Sequence, residues 1–331
     1  MEKTNYWCYR IDRSKIQFFK EELDHGRLRQ GWGWDEKQDL RNLEMDRGAK
    51  RNLPMFNKVK KNDILLVPAL PSSGEVAIIK ATEDWSKGYR FEIKKGQKDY
   101  GHIFPAEIIT SFTRRNEHVS GNIRSTLRNP GRFWNINQYA EDVETLKNIK
   151  GDDLKKSKDY VSKMDSLVRN AFNESFEEDI FFNVLEDRFN HSFTSEEWEF
   201  VLVKGLQLMF PFYHVERVGG NKEKEHGTDI LIKLPSIPGR QEYAIAIQVK
   251  DYKGVVGDHV IDQIKKADQY WESHELKLID KWVIITEAEE TLNGSLIENR
   301  TDVKIIFKEE LKKLLGNFGK KMIGIGAEED L

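Results

Sequence analysis

The chain contains one cysteine, Cys8, among 331 residues. A single cysteine excludes an intrachain disulfide and a zinc site built from several thiolates of one chain, and the eight histidines are scattered in no zinc-binding pattern. No run of about 18 apolar residues occurs, so the sequence predicts no membrane-spanning helix. Residues 1–5 lack the apolar core of a secretory signal. We therefore expect a cytoplasmic protein with no membrane partner.

The chain also has little net charge, −3, but the charge is unevenly divided. Residues 1–140 carry 26 Lys and Arg against 18 Asp and Glu, a net charge of +8. The remainder carries 27 against 38, a net charge of −11. A basic half joined to an acidic half indicates that a polyanion would dock first on the N-terminal half. The length is sufficient for two domains with separate cores.

A stretch in the acidic half, residues 199–250, combines one predicted helix with two predicted strands. Apolar residues at helical spacing, from Phe200 to Phe210, predict the helix. The runs 230–234 and 243–250 are short, rich in β-branched residues and bounded by turn signals, so they predict strands. Polar residues stand at defined places in these otherwise apolar elements.

Those polar residues favour a site for an oxygen-binding metal ion. Gln248 and Lys250 lie two apart on a strand and therefore share one face. A buried lysine is costly unless it is paired, and Asp229 begins the neighbouring strand. Oxygens of Asp229, the Gln248 amide, the Val249 carbonyl and Glu199 from the helix form a shell suited to Mg²⁺ or Mn²⁺. Lys250 beside such a metal would help to generate or orient hydroxide. The alternative is a pair of strands in which Lys250 merely forms a salt bridge with Asp229.

The same residues resemble the PD-(D/E)xK nuclease superfamily, and more narrowly its Mrr-type restriction endonuclease branch. The resemblance covers about residues 196 to 310 and rests on Glu199, Asp229, Gln248 and Lys250, with Gln in place of the middle acidic residue. Thr228 departs from the usual proline before the aspartate. The resemblance implies a mixed sheet flanked by helices and metal-dependent DNA cleavage, with Asp229, Glu199 and Val249 on the metal.

Two further polar residues are weaker candidates. His226 stands three residues before Asp229 in a loop expected to overhang the site, where it would contact substrate or move a proton; the alternative is an exposed loop histidine. Gln263 falls on a predicted helix, near where Mrr-type enzymes often place an extra polar residue; the alternative is an exposed helix position. Thr194 and Glu197 have capping-box spacing for the helix that carries Glu199.

The basic half predicts a small β-barrel with added helices. Runs at 6–11, 63–68, 75–81, 89–94 and 102–104 predict strands, and Pro71-Ser-Ser-Gly74 predicts a hairpin. This half, over roughly residues 4 to 137, resembles the PUA-like superfamily, which includes the EVE and YTH readers of modified bases. The resemblance rests on the Gly31-Trp32 loop, the strand before the hairpin and a late basic segment.

In such readers a flipped base stacks between aromatic rings. The resemblance therefore implies nucleic-acid contacts for Trp32, Trp34 and Trp85, with Tyr100 behind them. Trp32 is favoured because glycines flank it, whereas the alternative for each ring is a place in the core. The basic segment adds Arg114, Arg115, Arg124 and Arg128; the last two would share a helical face toward phosphates. The alternative is a solvated basic helix.

These patterns predict an α/β and β-rich enzyme of two domains. Residues 1–137 would recognise nucleic acid, 138–195 would form a helical linker, 196–316 would be the nuclease domain and 317–331 a flexible tail. The function expected from the resemblance is modification-dependent restriction of foreign DNA by a homodimer that uses Mg²⁺ or Mn²⁺ and no nucleotide cofactor. The alternatives are an RNA-directed or structure-specific nuclease, or a non-catalytic nucleic-acid-binding protein.

Overall fold

The chain divides into two compact units, an N-terminal unit from Met1 to Lys158 and a C-terminal unit from Asp159 to Leu331. The computed structural model describes residues 3–42, 44–175, 177–220, 223–235, 241–272, 276–298 and 302–325. The division falls inside the segment predicted as a separate linker. Helices of that segment are divided between the two units.

The N-terminal unit is built around one sheet. Its strands are β1 (Tyr6–Tyr9), β2 (Arg27–Gln30), β3 (Ile64–Pro68), β4 (Glu75–Ala81), β5 (Arg90–Phe91), β6 (His102–Thr113) and β7 (Phe133–Asn135). Its α-helices are α1 (Ile16–Asp24), α2 (Leu53–Lys58), α3 (Trp85–Gly88), α4 (Gly121–Thr126), α5 (Ala140–Asn148) and α6 (Gly151–Leu154). The predicted hairpin is present, since β3 and β4 are antiparallel neighbours.

The sheet curls because its longest strand, β6, serves two partners. The first part of β6 pairs with β2, where Gln30 faces His102, and the rest pairs with β4, where Glu75 faces Thr113. The strand order is β2-β6-β4-β3-β1-β7, with β5 also on β6. A register shift between Ile78 and Ile79 adds to the curvature. The result is a half-barrel where the sequence predicts a small barrel.

Side chains alternate between two cores on the two faces of this sheet. Leu65 and Ile79 belong to one core, and their neighbours Leu66 and Ile78 to the other, as the period of a strand requires. The second core also contains Cys8, which is buried and free. It further contains Val143 and Leu146 of α5 and Leu154 of α6. Those helices therefore belong to the N-terminal unit.

The C-terminal unit has a five-stranded mixed sheet between two layers of helices. Its strands are β8 (His214–Arg217), β9 (Ile230–Lys233), β10 (Glu242–Lys253), β11 (Leu276–Glu287) and β12 (Lys304–Ile306), in the order β12-β11-β10-β9-β8. Its α-helices are α7 (Tyr160–Glu174), α8 (Glu178–Ser192), α9 (Ser195–Met209), α10 (Glu223–His226), α11 (His259–Glu272), α12 (Gly294–Glu298) and α13 (Lys308–Met322). Strands β10 to β12 run parallel, whereas β8, β9 and β10 are antiparallel neighbours.

The helices before and after the predicted nuclease segment are part of its core. One core joins the sheet to α7, α8, α9 and α13, and includes Val168, Leu185 and Phe318. The other joins it to α11 and α12. Because Phe318 is buried and α13 continues to Met322, residues 317–322 are helical where the sequence predicts a loose tail. Residues 326–331 lie outside the described part.

A buried ionic cluster ties α1 to the sheet of the N-terminal unit. Glu22 accepts from Arg27 Nε at 2.9 Å, from Arg29 Nε at 2.7 Å and from Lys94 Nζ at 2.8 Å. Burial by itself would raise the pKa of Glu22, but the bonds from these three cations outweigh it and lower that pKa to about 2. Glu22 is therefore ionised wherever the unit is folded.

Across the described residues, no helix is both long and apolar enough to cross a membrane.

Replacing Glu22 by glutamine should lower the free energy of unfolding of the N-terminal unit by about 3 kcal/mol, because three cations lose a buried counter-charge. The carboxylate's contribution should be complete above about pH 5 and should be lost as pH falls toward about 2, since its pKa is depressed in the folded state. Urea unfolding at several pH values measures both effects. The control is Asp24→Asn, which breaks an exposed pair with Lys20 and should cost less than about 1 kcal/mol.

Candidate functional site

Helix α9 carries Glu199 to one end of the mixed sheet. The helix begins at the predicted capping box, where the Glu197 carboxylate accepts from the backbone N–H of Thr194 at 3.0 Å. Trp198 and Leu202 hold the inner face of the helix in the core. Glu199 itself is largely buried, so its carboxylate faces the sheet end instead of open solvent.

Asp229 is fixed by four hydrogen bonds that join three strands. Its carbonyl accepts from the N–H groups of Val218 and Gly219, at 2.8 and 3.0 Å. Its own N–H donates to the Ile247 carbonyl at 2.8 Å. Its Oδ2 accepts from the N–H of Val249 at 2.8 Å. The aspartate therefore lies where the segment after β8, the start of β9 and the body of β10 meet.

Gly219 leaves a small space between the two carboxylates. A Cβ atom built on Gly219 would lie 2.9 Å from Asp229 Oδ1 and 2.9 Å from Glu199 Oε2. Both oxygens thus border one space, which stays open because Gly219 has no side chain. The backbone of Gly219 is outside the left-handed region, so its conformation does not itself demand glycine. We name this space, bounded by Glu199, Gly219 and Asp229, the carboxylate cradle.

Arg217 at the end of β8 also reaches the cradle. Its Nε donates to Glu199 Oε2 at 2.6 Å, and its guanidinium lies 4.6 Å from the centre of the Phe200 ring. Neither Arg217 nor Gly219 is among the residues predicted from the sequence. The only signal for them is the run Arg-Val-Gly-Gly, which begins twelve residues before Asp229. Their role depends on the antiparallel pairing of β8 with β9, which places Arg217 opposite Ile230.

Gln248 and Lys250 follow on β10, on one face of the strand. Gln248 is completely buried, and neither polar atom of its amide has a hydrogen-bond partner among the described residues. A buried amide without partners is costly, and its retention indicates that it meets a further polar group at this place. Lys250 is partly exposed at the end of the buried run.

His226 does not overhang the site as predicted. It ends the short helix α10 and is buried, with its Nδ1 accepting from the N–H of Thr228 at 3.1 Å and its ring against Tyr270 and Trp271. The histidine anchors the chain before Asp229 to α11. The reason is Gly227, whose φ of 62° turns His226 inward.

Gln263 lies behind this turn, on α11. A Cβ on Gly227 would come within 1.9 Å of the Gln263 carbonyl, so the two backbones are in close contact. The structure therefore assigns the Gln263 backbone a packing role beside Asp229, and its side chain is partly buried. The side-chain amide of Gln263, which the sequence suggests as an extra polar group of the site, remains a prediction.

The donor set at the cradle fits a hard divalent cation. It consists of the carboxylates of Asp229 and Glu199. Val249, whose N–H donates to Asp229, would add its carbonyl as a third ligand. Mg²⁺ typically takes one or two carboxylates and leaves its other positions to water and phosphate oxygens. Across the described residues, no three side chains of His, Cys, Asp or Glu converge as an ion site. The arrangement thus suits an oxygen-binding cation that shares its coordination with a phosphate.

The N-terminal unit holds a separate open pocket of about 460 Å³. Its walls include Arg10, Asp12, Gln30, Trp32, Tyr100 and Arg132, and we name it the Trp32 pocket. Of these residues the sequence predicted Trp32 and Tyr100. The others were missed because they come from three separate segments that only the curled sheet brings together.

The loop that presents Trp32 is held by Asp99. One carboxylate oxygen accepts from the N–H of Gly33 at 2.7 Å and the other from the N–H of Trp32 at 3.2 Å. The Trp32 carbonyl accepts from His102 Nε2 at 2.8 Å. Burial lowers the pKa of His102 more than this bond raises it, so the ring stays neutral at pH 7. These bonds hold Trp32 at a φ of 63°, a strained conformation of the kind found at functional sites.

Arg132 forms a flat wall with Trp32. The carbon of its guanidinium lies 3.3 Å from the centre of the indole ring, and its Nη1 donates to Asn52 Oδ1 at 3.2 Å. Asn52 in turn donates to the Gly31 carbonyl at 2.9 Å. The stack is therefore tied to the same loop that carries the indole.

The other predicted rings take different places. Trp85 is 0% exposed, stacks on Phe104 and donates its indole N–H to the Pro105 carbonyl, so the prediction that it stacks on a base is wrong: it is a core residue. Trp34 is 49% exposed beside the pocket loop. Tyr100 lines the pocket and donates its hydroxyl to Asp12 at 2.7 Å.

The predicted arginines do not form one helical face. Helix α4 ends at Thr126, so Arg128 lies beyond it and is exposed. Arg124 is buried, with its guanidinium donating to the Val119 carbonyl, which corrects its predicted role as a phosphate contact. Arg114 and Arg115 border a second hollow together with Lys155. Burial lowers the pKa of Arg114, and the surrounding arginines lower it further, which indicates a concentration of positive charge.

Comparisons with known proteins give distant structural similarities only. The chain matches no family model and no curated protein sequence. One similar solved structure is protein Atu2648 from Agrobacterium tumefaciens, at 14% identity over 47% of this chain and 100% of that chain, with a TM-score of 0.25. Another is the MspJI restriction endonuclease in complex with a 27-mer oligonucleotide, at 11% identity over 93% of this chain and 72% of that chain, with a TM-score of 0.27.

A third is the restriction endonuclease FokI bound to DNA, at 12% identity over 58% of this chain and 31% of that chain, with a TM-score of 0.24. Scores at this level do not establish a shared fold. The function is therefore inferred below from the geometry of the two sites.

Substituting Gly219 by alanine should weaken the ion binding expected at the carboxylate cradle without unfolding the unit. The added Cβ would stand 2.9 Å from both carboxylate oxygens, and their displacement should weaken Mn²⁺ binding at least ~10-fold. Isothermal titration of Mn²⁺ into the full chain measures this. The control is Gly294→Ala in the same unit, where a Cβ would meet nothing within 4 Å. Equal Mn²⁺ affinity in both variants would show that the cradle holds no ion.

Proposed function

We propose that this protein is a metal-dependent endonuclease that cuts DNA with its C-terminal unit and selects it with its N-terminal unit. The observation that supports the first part is the carboxylate cradle, where Glu199 and Asp229 border one space beside the strand that carries Gln248 and Lys250. Two carboxylates that converge next to a strand carrying a lysine form an arrangement suited to phosphodiester hydrolysis.

The residues of the site would divide the work as follows. Asp229, Glu199 and the Val249 carbonyl would hold Mg²⁺ or Mn²⁺, which when bound supplies Lewis acidity to the phosphodiester. Glu199 would exchange its bond to Arg217 for this role, which frees a guanidinium for a phosphate oxygen. Lys250 would hold the attacking water and offset the charge that develops on the phosphate. Gln248 would orient groups in the buried shell.

The reaction is hydrolysis at phosphorus. An oxygen of water forms a bond to phosphorus, the bond from phosphorus to one ester oxygen breaks, and the departing oxygen takes a proton. One chain supplies one such site, so cutting both strands of a duplex calls for two. We propose a homodimer for that reason.

The second part of the proposal rests on the Trp32 pocket. Its volume, about 460 Å³, is in the range of small-ligand pockets. Its flat wall of indole and guanidinium suits stacking of a base. Exposed Trp34 and the basic hollow of Arg114 and Arg115 would contact the adjoining nucleic acid. A base-sized pocket and a hydrolytic site in one chain favour modification-dependent restriction of foreign DNA.

Removing the lysine should stop cleavage. Lys250→Ala should lower the rate of DNA cleavage roughly 100-fold or more, because the charge that develops in the transition state loses its partner. The matched control is Lys253→Ala on the same strand, where the side chain is 86% exposed and its nearest carboxylate is 3.9 Å away. Full activity of the Lys250 variant would contradict the proposed mechanism.

The activity itself is tested with Mg²⁺ or Mn²⁺ on parallel substrates: unmodified, methylated, hydroxymethylated and glucosylated DNA, and structured RNA. We expect cleavage of modified DNA that disappears in Asp229→Ala. Cleavage of all DNA alike would retain the nuclease and reject selection by modification. Cleavage of RNA alone would reject DNA as the substrate, and cleavage of nothing, with binding intact, would favour a non-catalytic binding protein.

Removing the indole should impair selection while sparing the cleavage chemistry. Trp32→Ala should weaken binding to the preferred DNA ~10-fold, because stacking on the base is lost, and should leave cleavage at saturating DNA unchanged. Fluorescence anisotropy in the absence of metal measures the binding. Trp34→Ala is the comparison, since Trp34 lies outside the pocket lining and should cost less. Unchanged affinity and preference in Trp32→Ala would remove Trp32 from the reader site.

A further inference from the structure

The carboxylate acceptors of the Trp32 pocket are largely used within the protein. Asp12 accepts from the N–H of Ser14 at 2.9 Å and from the hydroxyl of Tyr100 at 2.7 Å. Asp99 accepts from the N–H groups of Trp32, Gly33 and Tyr100. The Tyr100 hydroxyl bond is the largest cause that lowers the pKa of Asp12, so this carboxylate is ionised and does not itself donate. With the Ser14 hydroxyl also donating to Asp12, a ligand would find three of the roughly four acceptor positions of each carboxylate engaged.

The donors of the same pocket are not used up. Gln30 is 4% exposed, and its Nε2 donates to none of the described residues. Its Oε1 accepts from the N–H of Gly31 at 3.1 Å, which fixes the amide so that the nitrogen is the free end. Arg10 is similar: its Nη2 donates to the carbonyls of Leu127 and Asn129, but its Nε has no partner in the described chain.

Unpaired buried donors are costly, and a ligand that accepts from them recovers that cost. We propose that the Trp32 pocket takes a base whose inner edge offers two neighbouring acceptors, as cytosine does with O2 and N3 and guanine does with O6 and N7. Adenine and thymine alternate donors with acceptors along the corresponding edges and would leave one donor unpaired. This inference rests on the proposed reading of bases by the N-terminal unit.

The wall of the pocket limits the ligand to a flat group. Arg132 lies 3.3 Å from the Trp32 ring centre, so the wall is planar and carries positive charge. A planar ring with carbonyl oxygens at its edge fits both features, because it stacks on the wall and accepts from Arg10 and Gln30. A phosphate would accept from the same donors but would gain nothing from the stack.

The decisive variant is Gln30→Glu in the full chain. It keeps the size of the side chain and an oxygen for the N–H of Gly31, and it replaces the free donor by an acceptor. Gln30→Met removes both polar atoms at similar size and serves as a second variant. Gln17→Glu is the matched control, since it makes the same chemical change at an exposed position of α1. Thermal unfolding shows that each variant folds.

Binding is measured by anisotropy, without metal, on duplexes that differ only in one central nucleotide placed opposite an abasic position, which lowers the cost of flipping it out. We expect the wild type and Gln17→Glu to prefer cytosine and guanine. Gln30→Glu should lose ~10-fold on these two and little on adenine and thymine. Equal loss on all four bases, or no loss, would overturn the inference. Equal competition by inorganic phosphate against all four duplexes would also overturn it, in favour of an anion site.

Two further measurements separate this inference from the nuclease proposal. Saturation-transfer NMR with the four free deoxynucleosides tests the pocket without DNA or cleavage, and cleavage of unselected DNA with Mn²⁺ tests the C-terminal unit. If no DNA is cut but deoxycytidine and deoxyguanosine bind and Gln30→Glu releases them, the nuclease proposal fails and the pocket inference stands. If DNA is cut but no deoxynucleoside binds, the inference fails alone.

Discussion

The hydrogen bonds of one residue, Asp229, organise the C-terminal site. Its backbone joins the segment after β8 to β10, and its side chain caps the N–H of Val249 within β10. Because both ends of the residue are held by backbone groups, its second carboxylate oxygen is directed toward Gly219 and Glu199. Loss of any of these bonds would move the carboxylate relative to the strand that carries Lys250, and positioning errors of about 1 Å are costly to catalysis.

In the N-terminal pocket a carboxylate, that of Asp99, also fixes the backbone through hydrogen bonds. Asp99 binds consecutive N–H groups of the Trp32 loop, as a carboxylate does at a turn, and so maintains a backbone conformation that tryptophan rarely adopts. His102 completes the clamp from β6, and its neutral ring depends on burial. Both sites thus use a buried acid or base to fix backbone, which leaves other groups available for ligand.

The two units also differ in the charge they offer a polyanion. The basic residues 1–140 supply attraction that does not depend on base sequence, while the cradle contributes carboxylate charge that, in the proposed mechanism, a bound cation would balance before a phosphate approaches. This division gives the proposed enzyme a physical order of events. DNA would bind first through the basic unit, and cleavage would follow only where the acidic site holds its metal.

The sequence was informative where chemistry depends on local pattern. The strands around Asp229 and Gln248, the capping box at Thr194 and the hairpin at Pro71–Gly74 are present as predicted, because period, capping and turn chemistry act over a few residues. Trp32 could be singled out because flanking glycines mark a loop. Trp85 could not be assigned to the core in the same way, because the sequence does not show whether an indole faces solvent or, as here, packs on Phe104.

The rest was decided by tertiary structure. Arg217 and Gly219 matter only because β8 pairs antiparallel with β9, and Arg10, Gln30 and Arg132 meet only because β6 bends between two partners. The helices of residues 138–195 pack into the cores of one unit or the other, because burial of their apolar faces depends on distant strands. By itself the sequence determined the local elements and the acid, amide and lysine of the candidate site. Which side chains surround them depended on contacts between residues far apart in the chain, which no local pattern records.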